Sequence, residues 1–379
     1  MEAENRYQSH ILLKGFGING QTKLSETKVL VIGCGGLGCP ILQTLSASGI
    51  GKIGLADGDR VGITNLSRQF LFKPSDLGKM KTVVAKENLS KLNTEIEFFE
   101  YPNYLNQNNA LNIISAYDII VDGTDNFESR YLLNDACLLA GKPLVFGAVS
   151  QYEGQLGVWN LNLGDHRSAH YRDAFPKYPR EKNFLNCADL GVLGTLTGII
   201  GNLMAAEVIK IATQIGTPLH DKLWTYNLLN NQSYTFKIKP LPAHSDLPGS
   251  PEAFENMDYG VYCAGGERKN REKVNFISAK DFICLIDQKD LLILDVREYG
   301  ESPKITTFDH RNMPLSSLED QGKNILEDTI ITLCWSGNRS EKAAQKLNKI
   351  YKNQKSIFSL DGGLKDLTKN FYERTSDQS

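Results

Sequence analysis

The chain has 379 residues, 41% of them apolar and 23% charged, with a formal net charge of -2. That length predicts two domains, and the near-neutral charge excludes a general nucleic-acid surface, so any polyanion site must be local. Seven cysteines, an odd number without dense short spacings, argue against a disulfide framework and for reduced thiols in the cytoplasm. The N-terminus, Met1 to Arg6, is acidic and polar and lacks the apolar core of a signal peptide. The most apolar stretch, Gly191 to Ala212, holds four glycines with Glu207 and Lys210, which favours a buried core helix over a membrane span.

In chain order, the apolar run Lys28 to Gly33 reads as a strand, followed by a glycine turn and a helical pattern through Leu37, Ile41, Leu42 and Leu45. Further strands are expected at Lys52 to Ala56 and Asp118 to Asp122, with helices at about Lys79 to Leu92 and Ser129 to Ala140. This alternation predicts an α/β fold, Rossmann-like, with a mostly parallel sheet and helices on both faces. Alternating segments at Gln155 to Leu161 and Lys222 to Ile238 predict an antiparallel extension. Four prolines between 240 and 251 and a charged run to Lys273 mark a linker. Strands at Leu291 to Leu294, Ile330 to Leu333 and Ile357 to Leu360, with a helix from Ser340 to Ile350, make a second, small α/β domain. The expected division is therefore 1–239, a linker at 240–273, and 274–379.

Gly33-Cys34-Gly35-Gly36-Leu37-Gly38 between strand and helix is a phosphate-binding type of turn, because glycines admit phosphate to backbone N-H groups at a helix N-terminus. Asp57, ending the next strand, is placed for a ribose hydroxyl, and a nicotinamide dehydrogenase is open at this point. Asn65, Arg68, Lys81, Asp125 and Asn126 then add cationic, acidic and amide groups at the same strand ends. They suit a triphosphate with magnesium, whereas hydride transfer needs none of them.

The residues from Arg6 to about Lys239 resemble the ubiquitin-activating superfamily in its MoeB, ThiF and HesA branch. That resemblance implies ATP-dependent adenylylation of the C-terminal Gly-Gly carboxylate of a ubiquitin-like sulfur-carrier protein. The candidate carriers are the molybdopterin synthase small subunit, the thiamine sulfur carrier and a tRNA-thiolation carrier. It also implies that Asp57 and Asp59 lie by the ribose and metal, that Asn65, Arg68 and Lys81 hold phosphates, that Asp125 binds Mg2+, and that Arg130 sits near the nucleotide. A homodimer completed by the partner's N-terminal helix is implied as well, with Tyr7, Ile11, Leu12 and Leu13 as an apolar face. A non-catalytic scaffold of the same fold is the rival reading.

Two cysteines are candidate nucleophiles. Cys187, in Asn186-Cys-Ala-Asp-Leu-Gly-Val-Leu-Gly194, precedes the long apolar helix, whose N-terminus would lower a thiol pKa. The loop is similar to the cysteine-bearing loop of eukaryotic adenylyltransferase-sulfurtransferases, which implies attack on the acyl adenylate. Cys334 opens Cys-Trp-Ser-Gly-Asn-Arg-Ser340 between strand and helix, so that backbone N-H groups and Arg339 favour a thiolate and its persulfide. With Leu294-Asp-Val-Arg-Glu298 and Leu360-Asp-Gly-Gly363, this region resembles a rhodanese domain loaded by a persulfide donor such as a cysteine desulfurase.

Departures from these patterns carry expectations too. Most relatives of this kind close a zinc site with two Cys-x-x-Cys pairs, but here the first reads His170-Tyr-Arg-Asp173 and the second region, Pro242 to Asp246, has no cysteine, so zinc is expected to be absent. Ser9 stands where the family has an arginine that reaches the partner's triphosphate. The rhodanese-like region also lacks the usual His-Ile-Pro-Gly-Ala segment between Arg297 and Pro314.

Overall fold

The computed structural model describes residues 6–176, 191–241, 246–259, 274–286, 290–301, 303–335, 337–352, 354–364 and 367. The chain forms two compact units, Met1–Gly266 and Glu267–Ser379.

The first unit is built on eight strands: β1 (Lys28–Ile32), β2 (Lys52–Ala56), β3 (Glu97–Tyr101), β4 (Ile119–Asp122), β5 (Leu144–Ser150), β6 (Glu153–Trp159), β7 (Lys222–Asn227) and β8 (Gln232–Lys237). Their order in the sheet is β3-β2-β1-β4-β5-β6-β7-β8. Strands β1 to β5 pair in parallel and β5 to β8 antiparallel. The mixed sheet with an antiparallel extension is thus the arrangement expected from the sequence. Strand β3 was not anticipated. Its Glu-Phe-Phe-Glu-Tyr pattern alternates poorly because it pairs only with β2 and leaves Phe99 41% exposed.

The chain runs outward from β1 to β3 and then returns to β4 on the other side of β1, so β1 and β4 flank the point where the strand order reverses. Ligands of open α/β sheets enter there. Helix Gly194–Thr213, which is long and apolar enough to cross a membrane, packs against β5, β6 and helix Gly38–Ser48, burying Leu196, Ile200, Met204, Ala205 and Val208. The close backbone approach anticipated for its glycines occurs at Gly201, where a Cβ would stand 2.8 Å from the Leu37 carbonyl oxygen. Gly198 faces open space instead.

The linker is shorter than the prolines suggest. Ser250 caps helix Pro251–Glu255 through its hydroxyl, and Phe254 and Tyr259 are buried in the first unit's core. Gln107 Nε2 donates to the Met257 carbonyl oxygen (2.7 Å), and the Tyr259 hydroxyl donates to Asp135 (2.8 Å). Asp135 also takes both Arg172 Nε (2.8 Å) and Nη2 (2.7 Å) in a fully buried pair. At the first of the would-be zinc segments, Asp173 accepts from the backbone N-H groups of His170 and Leu241, both at 2.8 Å. Hydrogen bonds therefore join the chain around 170 to the chain around 241. Residues 242–245 of the second segment lie outside the described residues.

The second unit is a five-stranded parallel sheet, β9 (Asn275–Ile277), β10 (Leu291–Asp295), β11 (Arg311–Asn312), β12 (Thr329–Leu333) and β13 (Ser356–Leu360), in the order β11-β10-β12-β13-β9. The central strand β12, buried from Ile330 onward, leads into helix Asn338–Tyr351.

Candidate active site

A pocket of about 150 Å³ lies at the carboxyl ends of β1, β2 and β4. Its floor is the glycine turn. Gly33 has φ +92°, and a Cβ there would stand 2.7 Å from the Gly123 carbonyl oxygen, so the turns after β1 and β4 touch. At Gly38 a Cβ would come within 1.9 Å of the Gly33 carbonyl oxygen; this glycine closes the turn and does not line the pocket. Gly35 and Gly36 do line it.

The charged wall is built by β2 and the helix Lys81–Leu92. Asp57 accepts from the N-H groups of Cys34 (2.7 Å) and Asp59 (2.8 Å), which fixes both loops. Lys81 Nζ lies 2.8 Å from Asp59 and 4.0 Å from Asp57, and its side chain is only 5% exposed. Burial pulls the ammonium down, but Asp57 and Asp59 outweigh it, and Lys81 sits above the usual lysine value. Burial pushes the Asp57 carboxyl up, offset in part by Lys81 and the two backbone donors. The result is a lysine kept charged inside the pocket wall. Asp59 also accepts from the Tyr104 hydroxyl.

Arg68 lines the pocket beside Gly36, with Nη1 on the Thr64 carbonyl oxygen at 3.0 Å. From the β4 side come Asp125, exposed at the rim, and Asn126, whose Oδ1 caps helix Phe127–Ala140 by accepting from Ser129 N (2.9 Å). Arg130, on the first turn of that helix, is buried against the Phe127 and Phe146 rings and donates to the Thr124 carbonyl oxygen. Asp122 beneath it is fully buried; burial pushes its carboxyl up, partly countered by Arg130 and Thr124.

Of the residues anticipated from the sequence, Asn65 does not reach the pocket lining: its Oδ1 accepts from Gly62 N (2.9 Å) and shapes the loop that carries Arg68. Gln69, Tyr104 and Thr197 line the pocket without having been singled out. Gln69 is 3% exposed and its Oε1 has no hydrogen-bond partner among the described residues, as an acceptor awaiting a ligand donor would be. It directly follows Arg68 in the sequence, which is the signal that could have found it. Cys34 and Cys39 are buried, and burial pushes Cys39 up to about 12, which makes them structural thiols. Cys187 lies outside the described residues. Among the described residues no cluster of three or more His, Cys, Asp or Glu side chains is arranged for a metal.

In the second unit Cys334 follows β12 and is fully buried. Ser340 N donates to its sulfur at 3.3 Å, and the thiol donates to Ser340 Oγ at 3.6 Å. Gly337 (φ +88°) and Gly363 (φ +65°) allow the loop and the turn after β13 to close on one another; a Cβ on Gly363 would meet the Cys334 carbonyl oxygen at 2.5 Å. Of the backbone N-H groups expected to point at the sulfur, that of Ser340 does so; Ser336 lies outside the described residues. Arg339, expected to favour the thiolate, pairs through both terminal nitrogens with Glu301, and its charge still interacts with Cys334. Arg297 is buried on Asp295, with Nη2 to Oδ2 at 2.7 Å.

Residues 7–247 match the ThiF family and residues 278–370 match the rhodanese-like domain. A Xenopus laevis protein named adenylyltransferase and sulfurtransferase MOCS3 is 37% identical over 386 residues, covering 95% of this chain and 85% of that protein. The sulfur carrier protein adenylyltransferase of Thermus thermophilus is 40% identical over 263 residues, covering 69% of this chain and 97% of its own. Among solved structures, Escherichia coli MccB with MccA-N7isoASN is similar at TM-score 0.57 and 28% identity, over 64% of this chain and 74% of that one.

Proposed function

This chain belongs to the ThiF family and carries a rhodanese-like domain, and on that footing we propose that it adenylylates the C-terminal carboxylate of a ubiquitin-like sulfur-carrier protein with ATP and supplies the sulfur from Cys334. The observation that carries the reading is the single pocket into which the glycine turn, Lys81, Arg68 and Asp125 converge.

The chain's own groups account for the first half-reaction. Backbone N-H groups of the turn orient the phosphates, and a carboxylate approaching the α-phosphate meets two cations, Lys81 and Arg68, that offset repulsion between anions. The Lys81 charge is held in place before ATP arrives, because Asp57 and Asp59 fix it. Asp125 suits Mg2+, which takes one or two carboxylates plus substrate phosphates and keeps its waters. When bound, that ion would neutralise phosphate charge. Pyrophosphate leaves as the acyl adenylate forms. In the second half, Cys187 displaces AMP to hold the acyl group as a thioester, the Cys334 persulfide displaces the Cys187 thiolate from the acyl carbon, and that thiolate then attacks the Cys334 sulfur; the carrier leaves as a thiocarboxylate, and an external thiol reductant reopens the enzyme disulfide.

We assign the sulfur donor to the cysteine desulfurase class and the working assembly to a homodimer. The dimer reading is supported by Leu12 and Leu13, exposed at 77% and 57%. Tyr7 is not part of that face, since it is buried with its hydroxyl accepting from Asn93 Nδ2 (2.7 Å). Light scattering at micromolar concentration should give twice the chain mass, and a monomer would end the dimer reading. For the activity, ATP–pyrophosphate exchange should appear on adding a carrier that ends in Gly-Gly. Asp125→Ala should remove it, and exchange at the unmutated rate in that variant would refute the placement of the site. Tight NADH binding without ATP binding would restore the dehydrogenase alternative.

A further inference from the structure

The cationic side of the sulfur cradle is already occupied. Arg339 presents its two terminal nitrogens to the two carboxylate oxygens of Glu301 at 2.5 and 2.8 Å. Glu301 is itself held by the N-H of Glu298, at 2.8 Å to Oε1. The other guanidinium nearby, Arg297, is bound to Asp295 and to the Pro303 carbonyl oxygen (2.9 Å). Glu298 adds a further carboxylate, held by Ser316 Oγ at 3.0 Å. Two guanidiniums thus stand among three carboxylates, and the fork formed by the two terminal nitrogens of Arg339 is filled by Glu301.

We propose that Glu301 is a specificity-determining residue of the sulfurtransferase half: it occupies the arginine fork that a small dianionic sulfane donor such as thiosulfate would need, and so directs the cradle toward organic persulfides. The inference rests on the sulfurtransferase reading of the second domain. A sulfonate is bound best by a bidentate guanidinium. Here that fork is filled from within the chain, and a dianion entering beside Glu301 and Glu298 meets like charge. The Arg339 hydrogen bond holds Glu301 down at about 2, so the carboxylate stays ionised wherever the protein is folded at ordinary pH.

The chemistry differs between donors only in what leaves. With thiosulfate, the Cys334 thiolate bonds to the outer sulfur, the S–S bond breaks, and sulfite departs with the electron pair. With an organic persulfide R–S–SH, the thiolate bonds to the terminal sulfur and R–S⁻ departs, taking up a proton as a thiol. Both leave Cys334 as a persulfide, and cyanide can then remove its outer sulfur as thiocyanate.

The test uses the full chain with two probes, thiosulfate and cysteine persulfide, reading sulfur on Cys334 by mass spectrometry and thiocyanate release with cyanide. The unmutated protein should load faster from cysteine persulfide; equal loading from thiosulfate would overturn the proposal without any variant. Glu301→Gln keeps the acceptor for Glu298 N and removes the charge, and should raise kcat/KM for thiosulfate about tenfold or more, mostly through KM, while cysteine persulfide loading changes less than about twofold. Glu301→Ala should act in the same direction, with its thermal midpoint recorded. Glu327→Gln, which removes the partner of Arg311, should change neither donor. Equal loss with both donors in Glu301→Gln would show that Glu301 merely positions Arg339, and no change with thiosulfate would show that the fork is not limiting; either result overturns the proposal. No sulfur on Cys334 from either probe, in any variant, would instead remove the sulfurtransferase reading itself.

Discussion

Lys81 shows how much one side chain sets in the first unit, because it neutralises Asp57 and Asp59 within the pocket wall. Lys81→Met should therefore cost stability before any substrate is added, about 3 kcal/mol, the scale for stranding a buried carboxylate. Urea denaturation without nucleotide would measure it, and exchange activity should disappear in the same variant. The Glu301–Arg339 pair makes a pH prediction. Its carboxyl is ordinarily near 4.5 and is held at about 2 in the fold, so its contribution is complete above roughly pH 4.5 and is lost as pH falls through about 2. The stability difference between the protein and Glu301→Gln, followed by Trp335 fluorescence in urea, should be constant from pH 7 to 5 and shrink below that. The charged lining of the pocket was legible in the sequence, as with Lys81, Arg68 and Asp57 at the strand ends beside the glycine turn. Tyr104 was not, since it reaches Asp59 from the end of an edge strand whose pattern is weak. Nor could the sequence reveal that Arg339 is claimed by a glutamate 38 positions away.

At the scale of elements, the turn after β1 is the most exacting feature. Gly38→Ala places a Cβ against backbone that cannot move aside, and should abolish ATP binding, seen by calorimetry, together with a stability loss of several kcal/mol. Gly35→Ala is the contrasting case: the nearest atom to its Cβ is the Gln69 amide nitrogen at 3.7 Å, so the fold should survive while phosphate approach is hindered. The Asp135–Arg172–Tyr259 network sorts similarly. Tyr259→Phe removes one hydrogen bond and should cost about 1 kcal/mol, whereas Arg172→Met leaves Asp135 charged in the core and should cost about 3–5 kcal/mol. Strand and helix order was legible because each element carries its own period. The linker boundary was not, because prolines mark where a helix cannot continue, and here Pro251 begins one.

For the molecule as a whole, the order of parts on one chain was the most legible property, since both motifs lie in segments whose strand, turn and helix sequence is what each chemistry needs. Cleavage at a protease site inserted between the units should leave pyrophosphate exchange intact. Thiocarboxylate formation should then become dependent on protein concentration below about 1 mM, the scale of local concentration a short tether supplies. A rate indifferent to cleavage would mean that the two half-reactions do not depend on being joined.

The burial of Tyr259 also has a geometric consequence. Covalent attachment between the units starts there, not near Lys239, so only the residues between Tyr259 and Val274 set how far apart their ends can be. Fully drawn out, that length of chain spans at most about 50 Å, comparable with the width of a compact body of about 260 residues. The leash thus caps the separation of its two ends at about one body's width. Removing six residues from it shortens the maximum to about 30 Å. Such a variant should keep both partial reactions at full rate and lose the overall one, a failure of reach with every chemical group in place.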